Sequence, residues 1–504
     1  MKYLQGQHIL ILGLGSSGLA MTRWCAQMGA DITVADTRES PANLQVLKSE
    51  LPEVQFKSGP FAANLIEGTS VRAVFASPGL TPIETLPVIA AAQAMGLWVG
   101  GELSLFVQAL ENLKATRDYA PQVLAITGTN GKTTVTALTG QLIERAGKTV
   151  KVAGNIGPTL LDSLRLSMTT ALPEVWVLEL SSFQLDNAGP FEPSAATVLN
   201  ITQDHLDWHG NMAAYAAAKE KIFGASSLMV LNRDDARVMA MLPEPVRAKL
   251  QKPVVRAHVT YGAEMPQRPG DFGLETVNGM TWLVRALEAD ETRRLRKGEV
   301  EEIHIQRLMP ADALRIRGRH NAVNALAALA LATSTGASLA SMLFGLREYK
   351  GEPHRVEPVA IVNEVEYFDD SKGTNVGATV AALLGLGAER RVVVILGGEG
   401  KGQDFSPLAE PVARYARAVV LIGRDAPLIR EEIKACGVPL IDASTLPEAV
   451  NAAKNIAQAG DAVLLSPACA SFDMFRDYPH RAQVFCQAVA EIAEAAGQVM
   501  EASL

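Results

Sequence analysis

The chain has 504 residues, 48% of them apolar and 20% charged, and carries a formal net charge of -8; that size and balance fit several packed domains. The acidic excess leaves no basic surplus for neutralising nucleic-acid phosphates, so a nucleic-acid partner is excluded and any phosphate site must be local. Four cysteines, Cys25, Cys436, Cys469 and Cys486, form neither a CxxC pair nor a disulfide-framework spacing, which fits a reducing, cytoplasmic setting.

The first block, 1–119, alternates short β-branched runs at 8–12, 31–35 and 71–76 with helical stretches, the pattern of a parallel α/β layer. Lys2 precedes an apolar run, but Gly13, Gly15 and Gly18 interrupt it. It leads into an alternating segment ending at Asp36 rather than to a small-residue cleavage site, so no secretory leader is expected. Gly13-x-Gly15-x-x-Gly18 follows a strand and opens a helix, and Asp36 ends the next strand. That spacing is a dinucleotide-binding fingerprint and, taken alone, points to an NAD-dependent oxidoreductase.

The second block, 120–351, opens with a buried strand at 123–127, a glycine loop and a helix at 133–146, then a second buried strand at 175–180. Thr127-Gly128-Thr129-Asn130-Gly131-Lys132-Thr133-Thr134 therefore lies between a strand and a helix, where backbone N–H groups can cradle phosphate. Lys132 is placed to neutralise the β and γ phosphates of ATP, and the Thr133 hydroxyl to ligate a bridging magnesium ion. The early glycine of the full P-loop pattern falls on Ile126, so this is a shortened variant. Glu179 closes the run Val175-Trp176-Val177-Leu178, at the carboxyl end of a strand from which it could reach the same ion. The 261–309 stretch turns charged, with Glu288, Asp290, Glu291, Arg293, Arg294, Arg296 and Lys297 close together, and reads as a solvated excursion or edge hairpins. The 321–346 stretch lacks charge but is too rich in alanine, serine and threonine for a membrane span; Thr333-Ser334-Thr335-Gly336 splits it into two packed helices. The third block, 352–504, opens where Gly351, Pro353 and Pro358 punctuate the chain and again alternates strands, at 391–396, 418–422 and 462–465, with helices.

The loop at Thr127–Thr133, the stretch Glu179-Leu180-Ser181-Ser182-Phe183-Gln184-Leu185 and the stretch Asn200-Ile201-Thr202-Gln203-Asp204-His205-Leu206-Asp207 resemble, in that order, the Mur ligases. His320-Asn321-Ala322-Val323-Asn324, His354-Arg355-Val356-Glu357 and Asp370-Ser371-Lys372-Gly373-Thr374-Asn375 continue the resemblance over nearly the whole chain. Leu465-Ser466-Pro467-Ala468-Cys469-Ala470-Ser471-Phe472-Asp473 and Leu396-Gly397-Gly398-Glu399-Gly400-Lys401 resemble the D-glutamate-adding branch.

The resemblance implies an α/β fold of three domains: a Rossmann-like N-terminal UDP-binding domain, a central P-loop-type ATPase domain and a Rossmann-like C-terminal domain. It implies an ATP-dependent ligase that joins D-glutamate to UDP-N-acetylmuramoyl-L-alanine through an acyl phosphate in peptidoglycan synthesis, acting as a cytoplasmic monomer with no membrane insertion. ATP would meet Gly128, Thr129, Asn130, Gly131, Lys132, Thr133, Thr134, Asn321, Asn324, Arg355 and Asp370. Two magnesium ions are implied, with Thr133, Glu179, His205 and Lys219 around them. Lys219, in Tyr215-Ala216-Ala217-Ala218-Lys219, matches a lysine that the family carbamylates; composition alone would make it a surface lysine beside Glu220 and Lys221. The UDP-sugar would lie on Gly15, Ser16, Ser17, Asp36, Thr37, Arg38 and Asn155, and D-glutamate on Lys372, Thr374, Lys401, Ser471, Phe472 and Tyr478, where cations and hydroxyls suit two carboxylates. The catalytic set is Lys132, Glu179, His205 and Lys219. A dehydrogenase, another amino-acid ligase of the family and a non-catalytic nucleotide-binding regulator remain the alternatives; a second phosphate loop followed by a strand-end carboxylate is what a dehydrogenase does not need.

Overall fold

The computed structural model describes residues 3–246, 254–289, 302–388 and 390–498. Its first sheet holds β1 (His8–Leu12), β2 (Asp31–Asp36), β3 (Gln55–Ser58), β4 (Val71–Ala76) and β5 (Trp98–Gly100), all parallel in the order β3-β2-β1-β4-β5. Helices α1 (Ser16–Gln27), α2 (Leu44–Glu50) and α3 (Pro82–Ala94) cross over between these strands, and α4 (Glu102–Arg117) leads out.

The second sheet is also parallel, β11-β10-β9-β6-β8-β7, from β6 (Gln122–Thr127), β7 (Val150–Gly154), β8 (Val175–Glu179), β9 (Ala195–Val198), β10 (Leu228–Asn232) and β11 (His258–Tyr261). Helices α5 (Lys132–Arg145), α6 (Leu160–Thr169), α7 (Ser182–Asp186), α8 (Leu206–His209), α9 (Met212–Glu220) and α10 (Ala236–Met239) join them. The charged excursion becomes a small antiparallel sheet, β12 (Phe272–Val277), β13 (Met280–Glu288) and β14 (Ile303–Pro310). Glu288 ends β13, and Asp290, Glu291, Arg293, Arg294, Arg296 and Lys297 lie outside the described residues. The alanine-rich stretch forms two helices, α11 (Arg319–Thr333) and α12 (Leu339–Glu348), both packed on α5.

The last sheet runs β15-β16-β20-β17-β18-β19, from β15 (Glu357–Val362), β16 (Val365–Asp369), β17 (Val392–Gly397), β18 (Ala416–Ile422), β19 (Leu440–Asp442) and β20 (Ala462–Leu465). Only the β15–β16 pair in it is antiparallel. Around it lie α13 (Val376–Gly387), α14 (Ala409–Tyr415), α15 (Ala426–Ile433), α16 (Leu446–Ile456) and α17 (Tyr478–Ala495). Strands covered by helices on both faces bury every side chain, which is why they read as unbroken apolar runs such as Val175-Trp176-Val177-Leu178 and Val392-Val393-Val394-Ile395.

The first two sheets share one apolar core. Trp24 on α1, Phe106 on α4 and Trp176 on β8 belong to a single buried cluster, and the Phe106 and Trp176 rings meet edge to face at 5.2 Å. The last sheet keeps separate cores on its two faces. No helix among the described residues is long and apolar enough to cross a membrane.

Candidate active site

The loop after β6 is fixed from beneath. The Thr129 hydroxyl donates to the Thr202 carbonyl, accepts from the Thr202 amide and meets the Tyr215 hydroxyl at 3.1 Å, while the Thr129 amide donates to the Asn200 carbonyl. Asn130 likewise donates its amide to the Asn200 side chain. Thr129, expected on the phosphates, ties the loop to 200–202 through its hydroxyl and its amide; the first-turn amides of α5, from Lys132 onward, are donors left without an intrahelical partner. Gly131, in the left-handed region at φ 83°, turns the chain into that helix. Lys132 folds back so that its Nζ donates to the Gly128 and Thr129 carbonyls at 2.9 and 2.8 Å. Burial lowers its pKa, Glu179 and Asp204 oppose that, and Arg355 and Lys372 reinforce it.

Glu179 ends β8 as a buried carboxylate. Its Oε1 accepts from the Asn155 side chain at 2.7 Å, and its Oε2 is buried with no hydrogen-bond partner. An acceptor stripped of water and left open is what a cation-binding oxygen requires, since such a vacancy is otherwise costly. Gly154 allows the approach: a Cβ there would stand 2.3 Å from the Glu179 carbonyl, and its φ of 110° disfavours any L side chain. Lys219, 2% exposed on α9, donates to Thr127 Oγ1 at 3.2 Å and to the Gly128 carbonyl at 2.9 Å, with Nζ 4.8 Å from the Tyr215 ring centroid. Burial drives its pKa far down and Lys132 adds to this, against Asp204 and Glu179, so the neutral amine is favoured. Composition alone would have left this residue on the surface, whereas the resemblance placed it at the site.

His205 precedes α8 in a left-handed conformation, φ 52°, which points its ring back toward Asp204, 3.6 Å away, and against the edge of Phe183. Burial lowers its pKa, Asp204 opposes this, and Lys132, Lys219 and Lys401 add to the lowering. Of these groups Thr133 and Glu179 offer the oxygens that suit a hard divalent cation, whereas His205 and the Lys219 amine offer only nitrogen.

The third region closes on this loop through a few polar contacts. Arg355 Nη2 donates to Thr133 Oγ1 at 2.8 Å, and the Asn375 side chain donates to Asn130 Oδ1 at 3.0 Å and to Asp204 Oδ2 at 3.4 Å. Asn375 lies in a quoted motif yet was not singled out; its side chain also caps α13 at the Ala378 amide. Between the regions lies an open cleft lined by Gly131, Thr134, Asn321, Asn324, Arg355 and Asp370. Asn324 donates to Asn321, both in the first turns of α11. Burial pushes the Asp370 carboxyl up to about 7 despite the hydrogen bond from Ser466 at 2.6 Å and the pull of Arg355.

The D-glutamate candidates fall into two groups. Lys372 Nζ sits 5.2 Å from the Tyr478 ring, and Lys401 Nζ 5.9 Å from the Phe472 ring, which is 64% exposed. Ser471 is buried beside that second pair, where Glu399 and Ala470 form a bridge. Thr374 is half-buried between Lys372 and Asn375.

In the first sheet Gly18 is required by contact, because a Cβ there would fall 1.9 Å from the Gly13 carbonyl. Asp36, 1% exposed, accepts from the Leu14 amide at 2.7 Å and from Arg38 at 2.8 Å. Burial raises its pKa, but Arg38 and the Leu14 amide overcome that and hold it down near about 2. Asp36 therefore ties the glycine loop to Arg38, while Gly15, Ser16, Ser17 and Thr37 sit at or near the surface around the start of α1. Asn155, expected at the sugar, donates its side-chain amide to the Glu179 carboxylate at the end of β8.

Three family models match the chain in order: a Mur ligase MurD-like N-terminal domain at 7–101, a Mur ligase middle domain at 126–332 and a Mur ligase glutamate ligase domain at 354–469. A UDP-N-acetylmuramoylalanine–D-glutamate ligase of Albidiferax ferrireducens is 69% identical over 99% of both chains, and one of Polaromonas sp. is 58% identical over 99% of this chain and 100% of its own. Among solved structures, a UDP-N-acetylmuramate-alanine ligase from Thermotoga maritima superposes with a TM-score of 0.54 at 20% identity, over 96% of this chain and 99% of its own. The MurF ligase from Thermotoga maritima in complex with ADP gives 0.56 at 15% identity, over 98% and 96%.

Proposed function

The chain belongs to the Mur ligase family, and from that premise we propose that it uses ATP to join D-glutamate to the L-alanyl carboxylate of UDP-N-acetylmuramoyl-L-alanine. The observation that carries this reading is the convergence of Lys132, Thr133, Glu179 and Lys219 on one loop that Arg355 reaches from across the cleft. The full-length likeness to D-glutamate ligases supports the choice of amino acid. We assign 1–119 to the UDP-sugar, 120–351 to ATP and 352–504 to the amino acid, in a peptidoglycan-precursor pathway of the cytoplasm.

In the first half-reaction a carboxylate oxygen of the substrate attacks the γ-phosphorus and the bond to ADP breaks, leaving an acyl phosphate. Two anions must meet, so the chain's task is charge neutralisation and alignment. Lys132 leaves its two carbonyl partners for the β and γ phosphates, and the first-turn amides of α5 hold the same oxygens. Arg355 approaches the transferring group from the opposite wall. Asn321 and Asn324 line the adenine side, and Asp370 lies beside them.

Magnesium, when bound, supplies further neutralisation of the phosphate oxygens; Thr133, Glu179 and His205 are the residues that would hold it. Burial and Lys132 favour the neutral amine of Lys219, the form that adds carbon dioxide to become a carbamate anion with release of a proton, and so could serve a second ion. In the second half-reaction the D-glutamate amine attacks the acyl carbon, a tetrahedral intermediate forms and phosphate leaves, giving the amide. Lys372 and Lys401 meet the two carboxylates of D-glutamate, and Asp204 or His205 takes the ammonium proton.

The test is phosphate release from ATP by the purified protein with UDP-N-acetylmuramoyl-L-alanine, comparing D-glutamate with L-glutamate, L-alanine and meso-diaminopimelate. Release that depends on D-glutamate is expected. Release with another amino acid would keep the family and overturn the assignment of the third region.

A further inference from the structure

Glu102 has no part in the chemistry above, yet it is a carboxyl buried to 2% exposure at the junction of three helices. It begins α4, its Oε1 accepts from the Leu161 amide at 3.0 Å, and so it caps α6, whose own N-cap, Thr159, makes no side-chain cap. The Ser17 hydroxyl, in the first turn of α1, faces the same carboxyl, while Glu102 Oε2 is buried and lacks a hydrogen-bond partner of good geometry. The group therefore stands between the start of α1, whose Ser16 and Ser17 are assigned above with Gly15 to the UDP-sugar and whose first-turn amides suit its diphosphate, and the start of α6, which follows the Asn155 loop. Apart from Glu102 itself, the charged group that acts on this carboxyl is Asp162 on α6; Arg23 on α1 and Arg165 on α6 pair with Asp162 at 3.1 and 3.0 Å.

We propose that Glu102 is a positioning residue for the nucleotide-sugar substrate, taking up a proton as the diphosphate seats on α1 and turning the Ser17 hydroxyl toward it. The inference rests on the assignment of α1 to the diphosphate. When Glu102 is ionised, its carboxylate draws the Ser17 hydroxyl hydrogen toward itself and holds a negative charge beside the phosphate site. When a proton from solvent is on Oε2, that O–H donates to Ser17 Oγ, and the Ser17 hydrogen is free to be donated to a phosphate oxygen. The like charge is removed in the same step. Burial, against the Leu161 amide and Ser17 and with Asp162 adding to it, pushes the carboxyl up to about 7, so one proton can be exchanged near neutrality. The carboxyl remains hydrogen-bonded to α6 through Oε1 in either state, so the arrangement behind Asn155 is kept.

The experiment is calorimetric titration of the full-length protein with UDP-N-acetylmuramoyl-L-alanine in two buffers of different ionisation enthalpy, from pH 6 to 8.5, alongside KM for each substrate over that range. Wild type should take up a fraction of a proton that rises toward about one above pH 7, with KM for the nucleotide-sugar rising up to about tenfold per pH unit there. Glu102→Gln should abolish the uptake and hold that KM near the wild-type low-pH value, leaving KM for ATP and D-glutamate unchanged. Equal uptake in both proteins overturns the proposal, as does a KM raised at every pH with a lowered melting temperature, which a mere helix cap would give. If the variant does not fold, absence of proton uptake by wild type overturns it and its presence sustains it. Failure of wild type to bind the nucleotide-sugar would overturn the substrate assignment itself, and is read directly from the same titration.

Discussion

The two seams of the molecule are built on opposite principles. Between the first and second sheets the joint is apolar: Trp24, Phe106 and Trp176 belong to one buried cluster, continuous with the cores on either side. Between the second sheet and the third region the contacts on the phosphate loop are polar and few, Arg355 to Thr133 and Asn375 to Asn130 and Asp204, around an open cavity. Apolar burial is non-directional and is lost only by exposing area, so the first seam is a fixed platform. Hydrogen bonds exchange with water at small net cost, so the second seam can open to admit substrates and re-form around them. A ligase that must exclude water from an acyl phosphate needs one seam of each kind.

Substitutions at the two seams should separate activity from stability. The largest effect is expected at the loop itself: Lys132→Ala should lower the rate of acyl-phosphate formation by about 10³-fold, the scale of losing a charge-stabilising donor, with the urea midpoint unchanged. Rapid-quench detection of phosphorylated substrate would measure it, and a loss confined to the amide-forming step would place Lys132 elsewhere. At the apolar seam Phe106→Ala should cost about 3–5 kcal/mol in urea unfolding, while the folded fraction keeps its KM for ATP. A raised KM for ATP at unchanged stability would mean that this seam moves during turnover.

Across the cleft, Arg355→Ala should slow phosphoryl transfer by roughly 10–100-fold and change stability by less than about 1 kcal/mol. Loss of stability as large as that of Phe106→Ala would erase the contrast between the seams. The smallest effect concerns pH. Asp370 is raised from 3.8 to about 7, so its neutral form is the one that the fold favours. Its contribution to stability is complete below about pH 4 and is lost as pH rises through 7. Asp370→Asn should therefore flatten the decline of the urea midpoint between about pH 4 and 7, an effect on the order of 2 kcal/mol once the cleft's solvent access is allowed for. An unchanged decline would show that the carboxyl is solvated when the cleft opens.

Much of the site was legible because its chemistry is local in sequence. The phosphate loop lies between an apolar strand and a helix, and Glu179 lies at the end of another strand, so period and punctuation place both. Strands such as β3, β5 and β19 are not legible, since Gln55-Phe56-Lys57-Ser58, Trp98-Val99-Gly100 and Leu440-Ile441-Asp442 lack the unbroken apolar run that marks β20 at similar length. Lys219 is harder still. Its neighbours Glu220 and Lys221 make it look solvated, and only the packing of α9 against the loop turns it inward.

The sequence by itself determined the parallel α/β architecture, the glycine loops and the family, because these depend on residue type at short range. Tertiary structure alone decided that Glu179 keeps an unpartnered oxygen and that the Thr129 hydroxyl and amide tie the loop to 200–202. It also decided that Arg355 reaches Thr133 and that Glu102 joins the starts of two helices. Each of these is a contact, or a missing contact, between residues remote in the chain. Its free energy comes from desolvation and hydrogen bonding in the packed interior, which no local pattern encodes.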